Sequence, residues 1–233
     1  NIDGTQYVID ACLENKVQRL IFVGSANSFG PGTIAELGNE TKPFIGAKYK
    51  LDYIESKYKA KNLVLDAVKN KGLDAIVVCP TFMIGPYDSK PSSGAMILGV
   101  FNKKIPGYTL GGKNYVAVKD VAVAIANGIT NGKKGECYIL GNDNLTYKAA
   151  FEKMAAVVGV KAPTRRLPTR LVVTLGWLST KFATLFRYYP AFTYEMARIS
   201  SEDHYYSSQK AQDELALPHT PLDVALKESF DWF

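Results

Sequence analysis

A tyrosine and a lysine four residues apart form the pair in this sequence best suited to proton transfer. They are Tyr53 and Lys57, in the segment DYIESKYKAKN, which reads as a helix. Residues four apart lie on one face of a helix and can interact. A phenol is a poor base at neutral pH, but a neighbouring ammonium group stabilises its ionised form. The pair could therefore serve as a general acid–base, or it could belong to a solvated helix surface.

The same spacing occurs twice more, at Tyr115/Lys119 and at Tyr206/Lys210. Tyr115 lies in a segment that reads as extended, and four residues of strand would separate its pair by roughly 13 Å. Tyr206 lies in a late region that reads as helical, with no sheet edge nearby. The secondary structure around each tyrosine therefore determines which pair could act in proton transfer.

Helices and short apolar runs alternate around Tyr53. The runs RLIFVG (19–24), DAIVVCP (74–80) and ECYILG (136–141) predict buried strands. Helical spacing is found in five segments, at 1–15, 50–71, 94–103, 119–132 and 146–159. Such alternation is typical of a parallel sheet covered by helices on both faces. From about residue 160 onward the sequence predicts helices and no strands.

Three candidate residues follow the predicted strands or begin the next helix. Ser25 stands at the end of the first strand, Tyr53 lies on the following helix, and Pro80 ends the second strand. Ligands of such sheets bind beyond the carboxyl ends of the strands. We therefore expect these residues to meet at one sheet edge, which favours the Tyr53/Lys57 pair.

Five motifs in order resemble those of the extended short-chain dehydrogenase/reductase superfamily, in its NAD-dependent epimerase/dehydratase branch. They are NIDGT, LIFVGSANSFG, YIESKYKAK, VVCPTFMIGPYD and YVAVKDVAVAI. Within that branch the chain is most similar to dihydroflavonol-4-reductase-like and 3β-hydroxysteroid-dehydrogenase-like members, from Asn1 to about residue 230. The resemblance implies an α/β fold, with a Rossmann-like doubly wound parallel sheet and a smaller, mainly helical C-terminal substrate lobe.

The resemblance assigns catalytic roles to Ser25, Tyr53 and Lys57. Tyr53 would exchange a proton with the substrate oxygen, and Lys57 would stabilise the phenolate and bind the nicotinamide ribose. Ser25 would donate a hydrogen bond to the substrate oxygen, with Ser28 as the competing serine.

The implied cofactor is NAD or NADP. Besides Tyr53 and Lys57, the implied cofactor-binding positions are Asn1, Pro80 and Met83. No metal site is predicted. Asp120 reads as a helix N-cap, and the two histidines, His204 and His219, as surface or loop residues.

The resemblance predicts an NAD(P)-dependent oxidoreductase that acts on a ketone/alcohol pair of a small molecule. A nucleotide-sugar epimerase is the alternative, and a non-catalytic NAD(P)-binding sensor is a second one. Sugar-nucleotide members often carry an asparagine where this chain has Pro80, which favours the reductase. The presence of Ser25, Tyr53 and Lys57 disfavours a sensor.

The family's first strand, glycine-rich turn and helix, which hold the cofactor pyrophosphate, have no counterpart in this sequence. We therefore expect the chain to belong to a longer protein, to lack the N-terminal strands of the sheet and to be inactive by itself. Residues 1–141 are predicted to form the C-terminal part of the dinucleotide-binding domain. Residues 142–233 are predicted to form the substrate lobe, with a contribution from 81–110.

The net charge of +6, from 28 basic and 22 acidic side chains, is mild. Lysines are spread along the chain, so no nucleic-acid partner is predicted. The predicted partners are a small-molecule substrate and a second copy of the chain in a homodimer. Three widely separated cysteines and the lack of a long apolar run favour a cytoplasmic protein. The segment 170–190 is unusually apolar and aromatic. We expect it to pack in the core and line the substrate pocket, with membrane contact as the less favoured alternative.

Overall fold

A computed structural model of the chain, which describes residues 1–186, 188 and 192–233, contains two sheets surrounded by helices. The helices are α1 (Ile2–Glu14), α2 (Asp52–Lys71), α3 (Gly94–Phe101), α4 (Val118–Asn131), α5 (Tyr147–Val158), α6 (Thr169–Phe186), α7 (Tyr194–Ile199), α8 (Gln209–Leu215) and α9 (Leu222–Trp232). The strands are β1 (Leu20–Val23), β2 (Ala75–Pro80), β3 (Phe82–Ile84), β4 (Gly112–Ala117), β5 (Cys137–Leu140), β6 (Asp143–Thr146) and β7 (Asp203–His204).

The first sheet is parallel, in the order β1-β2-β5, and confirms the predicted α/β class. All six residues of β2 are buried, and their side chains alternate between two cores. Ala75, Val77 and Cys79 pack in the core that α1 and α2 share with the sheet, whereas Ile76 and Val78 pack on the side of α4 and α8. Helices therefore cover both faces, as expected for a doubly wound sheet.

Strand β1 is more exposed than β2. In the described part of the chain it pairs only with β2, and Val23 at its end is 43% exposed. An unpaired strand edge presents free backbone hydrogen-bonding groups. Further strands at this edge stay a prediction.

The second sheet has the order β3-β4-β6, with β7 added to β4. β3 and β7 run parallel to β4, and β6 runs antiparallel to it. This sheet shares a hydrophobic core with α3, α5 and α9. The prediction of a strandless region after residue 160 is wrong, because β7 lies there and completes this sheet.

Helix α6 packs against α7 and turns its largest apolar side chains to solvent. A Cβ atom built on Gly176 would lie only 2.7 Å from Cβ of Ala197, which shows how closely the two helices approach. Five exposed residues occupy the outer side of α6: Leu171, Leu175, Leu178, Phe182 and Phe186. The expectation that this helix lines the substrate pocket is therefore wrong for these residues. Residues 187, 189 and 190 of the predicted 170–190 helix lie outside the described residues.

Within the described ranges, no helix is both long and apolar enough to cross a membrane.

Asp120 joins three elements and does not cap a helix. Ala117 precedes the first residue of α4, so Asp120 lies inside the first turn. Its buried carboxylate accepts hydrogen bonds from the backbone NH (2.8 Å) and hydroxyl (2.7 Å) of Thr220 and from the side chain of Asn142 (3.0 Å). Asp120 therefore ties the segment before α9 to the turn after β5, and the N-cap prediction is wrong.

We expect Asp120→Ala to lower the free energy of unfolding by about 2–4 kcal/mol, because it leaves three partly buried donors without their acceptor. Urea denaturation followed by circular dichroism measures the change. Asp66→Ala, at an exposed position of α2, is the control and should change it by no more than about 0.5 kcal/mol. Equal stability of the two variants would show that the Asp120 contacts contribute little.

Candidate active site

A cavity of about 200 Å³ opens beyond the carboxyl ends of β1 and β2. Ser25, Tyr53 and Pro80 all lie in its wall, so the three segments expected at this sheet edge do meet there. The wall also contains His204 and Tyr206, which the sequence placed elsewhere, and residues that the sequence did not single out: Ala26, Asn27, Leu51, Ile54, Thr81, Phe82, Lys113, Asn114 and Ile199. The cavity therefore joins the two sheets.

Tyr53 is the second residue of α2 and is 57% exposed. Its hydroxyl forms no hydrogen bond to any other described residue, so it is free to bind a ligand in the cavity. Its backbone carbonyl accepts a hydrogen bond from Ser56 Oγ (2.9 Å), and Asn1 Nδ2 donates to that same hydroxyl (2.9 Å). Asn1 therefore contacts α2 at the residue just before Lys57.

Lys57 lies one helical turn from Tyr53. Its ammonium nitrogen is 3.5 Å from the carbonyl oxygen of Val23, the last residue of β1. Among the described residues it forms no ion pair. The cation is thus held at the end of the strand and remains available to a ligand.

The two candidate serines differ in position. Ser25 lies in the cavity wall, and its Oγ accepts a hydrogen bond from the backbone NH of Asn27 (3.3 Å), so its own proton can be donated elsewhere. Ser28 is 1% exposed and lies outside the wall. Pro80 lies in the wall, whereas Met83 is 38% exposed and is not one of the wall residues. Geometry therefore favours Ser25 over Ser28 as a ligand contact.

Lys113 and His204 face the cavity from neighbouring strands, because they are register partners in β4 and β7. Burial lowers the pKa of Lys113 to about 8, and no carboxylate among the described residues pairs with it. Its ammonium lies 4.4 Å from the centre of the Phe82 ring. Burial lowers the pKa of His204 to about 4, and the positive charge of Lys113 is the second cause. This imidazole is therefore neutral at pH 7. The expectation that His204 is a surface residue is wrong.

Side-chain amides brace the wall behind these residues. Asn114 is buried; it accepts a hydrogen bond from Thr81 Oγ1 (2.7 Å) and donates one to Asn144 Oδ1 (2.9 Å). The same oxygen of Asn144 accepts from the backbone NH of Tyr206 (3.0 Å). These bonds join β4, β6 and the residues after β7, so they fix the positions of Lys113 and His204.

Neither of the other two Tyr-x-x-x-Lys pairs forms an acid–base couple. Tyr115 is fully buried, and Lys119 bonds Glu228 at 2.6 Å. Tyr206 lies in the cavity wall, contrary to the expectation from sequence, but Lys210 bonds Glu136 (2.5 Å) and the carbonyl of Cys137 (2.9 Å). In the described structure only Tyr53 is both exposed and next to an unpaired lysine of its own helix.

His219 is the one histidine whose predicted surface position is confirmed: its side chain is 56% exposed and lies 3.4 Å from Asp143.

Comparison with known proteins gives concordant matches. Residues 1–141 match the NAD dependent epimerase/dehydratase family. A putative dihydroflavonol 4-reductase of Synechocystis sp. is 28% identical over 238 residues, which cover all of this chain and 69% of that protein. The crystal structure of gox2253 is 33% identical with a TM-score of 0.84, over all of this chain and 71% of that one.

PA4631, a nucleoside-diphosphate-sugar epimerase from Pseudomonas aeruginosa, is similar in fold, with a TM-score of 0.80 at 22% identity over all of this chain and 73% of that one. The family match extends over more than half of the chain, and its residues 1–141 contain β1, α2 and β2, which build the cavity edge. The chain therefore belongs to the NAD dependent epimerase/dehydratase family.

Proposed function

We propose that the protein is an NAD(P)-dependent oxidoreductase that interconverts a carbonyl group and an alcohol of a small molecule, with Tyr53 as the general acid–base. The observation that carries this proposal is the meeting of Tyr53, Ser25 and the unpaired Lys57 at one sheet edge. Residues 1–141 would serve the cofactor. Residues 142–233, with 81–110, would serve the substrate, in keeping with a cavity wall that draws on Phe82, Ile199 and His204.

The groups at this edge suit the nicotinamide end of NAD or NADP. Lys57 offers an ammonium group that no carboxylate of the described residues pairs with, the exposed Tyr53 offers a hydroxyl, and Pro80 offers an apolar wall. Asn1 hydrogen-bonds Ser56 of the same helix, and Met83 is exposed. When bound, the nicotinamide supplies or accepts the hydride.

The chain's own residues would handle the proton and the charge. In the reducing direction Tyr53 Oη gives its proton to the substrate oxygen, and in the oxidising direction it takes that proton back. Lys57 stabilises the phenolate that remains. Ser25 Oγ donates a hydrogen bond to the substrate oxygen as charge develops there.

The reaction class can be tested with the intact protein. We expect reduced nicotinamide to be consumed in proportion to the alcohol that forms from a carbonyl substrate, and Tyr53→Phe to abolish that consumption. An epimerase would instead convert a nucleotide sugar into its isomer with no net loss of cofactor. Cofactor binding, measured by fluorescence, without turnover of either substrate class would indicate a sensor.

We expect Lys113→Met to raise the melting temperature at pH 7 by roughly 2–4 °C, because the variant removes a partly buried cation that pairs with no carboxylate among the described residues. Burial holds the folded pKa of Lys113 at about 8, below the ordinary lysine pKa of 10.5. Below pH 8 the charged Lys113 therefore destabilises the folded state by the full amount. This destabilisation disappears as the pH rises from 8 towards 10.5. The difference in melting temperature between wild type and variant should accordingly shrink at pH 10.

Lys104→Met, at an exposed position, is the matched control and should leave the melting temperature unchanged. A lower melting temperature for Lys113→Met at pH 7, or a difference that does not change with pH, would contradict the burial argument.

A further inference from the structure

We propose that α6 is a membrane-docking helix whose outer face inserts into the headgroup region of a bilayer that contains anionic lipid. The face, called here the α6 ridge, consists of Leu171, Leu175, Leu178, Phe182 and Phe186. The proposal is independent of the reaction proposed above, because the cavity wall contains no residue of the ridge.

The ridge is continuous along the helix. Its members are spaced by three or four residues, so they lie on one side of α6. Each is between 39% and 67% exposed, and the rings of Phe182 and Phe186 stack with their centres 6.3 Å apart. From first to last member the ridge extends for about 22 Å at 1.5 Å per residue. Contiguous apolar surface of this kind marks an interaction site on a folded protein.

The packing of α6 fixes the ridge on the outside. The opposite side of the helix carries Val172 and Ala183, which are 5% and 4% exposed, and Gly176, which lies against α7. The hydroxyl of Thr180 accepts a hydrogen bond from the backbone NH of Tyr194 at the start of α7 (2.9 Å). Rotating α6 to bury the ridge would break these contacts.

The charge of the segment around α6 indicates that an anionic surface binds the α6 ridge. Residues 159–194 contain six basic side chains and no aspartate or glutamate. The rest of the chain has 28 − 6 = 22 basic and 22 acidic side chains, so this one segment carries the whole net charge of +6. The six are Lys161, Arg165, Arg166, Arg170, Lys181 and Arg187, of which Arg187 lies outside the described residues.

The five described cations of this segment are all exposed, and none forms an ion pair with a described carboxylate. Lys181 lies beside the ridge with its ammonium 6.0 Å from the centre of the Trp177 ring, which is itself half exposed. An apolar face with tryptophan and basic residues at its border is the pattern of helices that lie in a membrane interface. Each basic residue near the surface adds attraction to anionic lipid.

A second copy of this chain fits the ridge less well. Pairing two α6 ridges would bring together two segments that carry only positive charge, and like charges in contact oppose association. An anionic lipid surface suits both the apolar ridge and the basic residues around it, since it accepts the apolar side chains and pairs with the cations.

Helix α7 connects the ridge to the cavity. Its inner end, Ile199, lies in the cavity wall, and its other end packs on α6. Docking through α6 would therefore hold the cavity close to the lipid surface.

The test is co-sedimentation of the intact protein with vesicles of phosphatidylcholine alone or with phosphatidylglycerol added. We expect pelleting only with the anionic vesicles, and less of it at high salt. Leu175→Ser/Phe182→Ser should lower the partition coefficient at least tenfold, and Arg170→Gln/Lys181→Gln several-fold.

Val123→Ser/Ile129→Ser is the matched control, because it removes two exposed apolar residues from α4 and should leave pelleting unchanged. Thermal unfolding checks that every variant is folded. No pelleting with anionic vesicles, or equal pelleting of the ridge variant and wild type, would overturn the proposal. So would self-association in lipid-free solution that the ridge substitutions abolish without any vesicle binding by wild type.

Discussion

We expect Tyr53→Phe to lower kcat for the carbonyl substrate by about 10²–10⁴-fold, the usual contribution of a general acid–base. The change removes the transferable proton and keeps the ring, so folding should be retained. Tyr53 is 57% exposed and its hydroxyl has no hydrogen-bond partner in the described structure, so its loss leaves no buried group unpaired. Steady-state kinetics with reduced nicotinamide measures the effect, with circular dichroism to check the fold.

Tyr115→Phe is the matched control for this experiment, since it removes a phenol from the same Tyr-x-x-x-Lys spacing. Its hydroxyl is buried without a partner among the described residues, and it lies outside the cavity wall. Turnover should stay within about twofold of wild type, far from the effect expected for an acid–base residue. A Tyr53→Phe protein with near-normal turnover would show that the Tyr53/Lys57 pair has no catalytic role and is only part of the helix surface.

Lys57→Met should lower kcat/KM by roughly 10²–10³-fold, because it removes the cation that stabilises the phenolate and meets the cofactor. The ammonium contacts only the carbonyl of Val23 in the described structure, so the substitution should cost little stability. Kinetics at varied cofactor concentration would show a raised KM for the cofactor together with a lower kcat. Lys57→Arg, which keeps the charge, should restore part of the activity.

Lys59→Met provides the control on the same helix. Lys59 is 60% exposed and forms only a 4.0 Å ion pair with Glu55, so its loss should leave both kinetic constants nearly unchanged. A similar loss of activity in both variants would attribute the effect to the surface charge of α2 and exclude a specific role for Lys57.

The first sheet could be predicted from sequence because its strands are continuous apolar runs. β1, β2 and β5 each end near a glycine or proline and alternate with long helices, which fixes the fold class. Of the second sheet only β4 could be predicted, because the segment around Tyr115 reads as extended. β3 has three residues, β6 reads Asp-Asn-Leu-Thr, and β7 has two residues, so none is long or apolar enough to show a period. These strands exist because they pair with β4.

The candidate site likewise contains residues that could be predicted from the sequence and residues that could not. Ser25, Tyr53 and Pro80 follow from the rule that ligands bind beyond the carboxyl ends of parallel strands. Lys113 and His204 are 91 residues apart and meet only through the register of β4 with β7. No local pattern indicates that pairing, so a histidine without metal-like neighbours in sequence reads as a surface or loop residue.

The late position of β7 also has a consequence for how the site is assembled. Ser25 and His204 face the same cavity but are separated by about three quarters of the chain, so the cavity closes only through contacts of high sequence separation. Such contacts form slowly, because the loop entropy must be overcome before they stabilise anything. During synthesis, the first sheet can fold while the wall that contains His204 is still being made. A chain cut short before residue 203 could thus be compact and still lack the wall on which ligand binding depends.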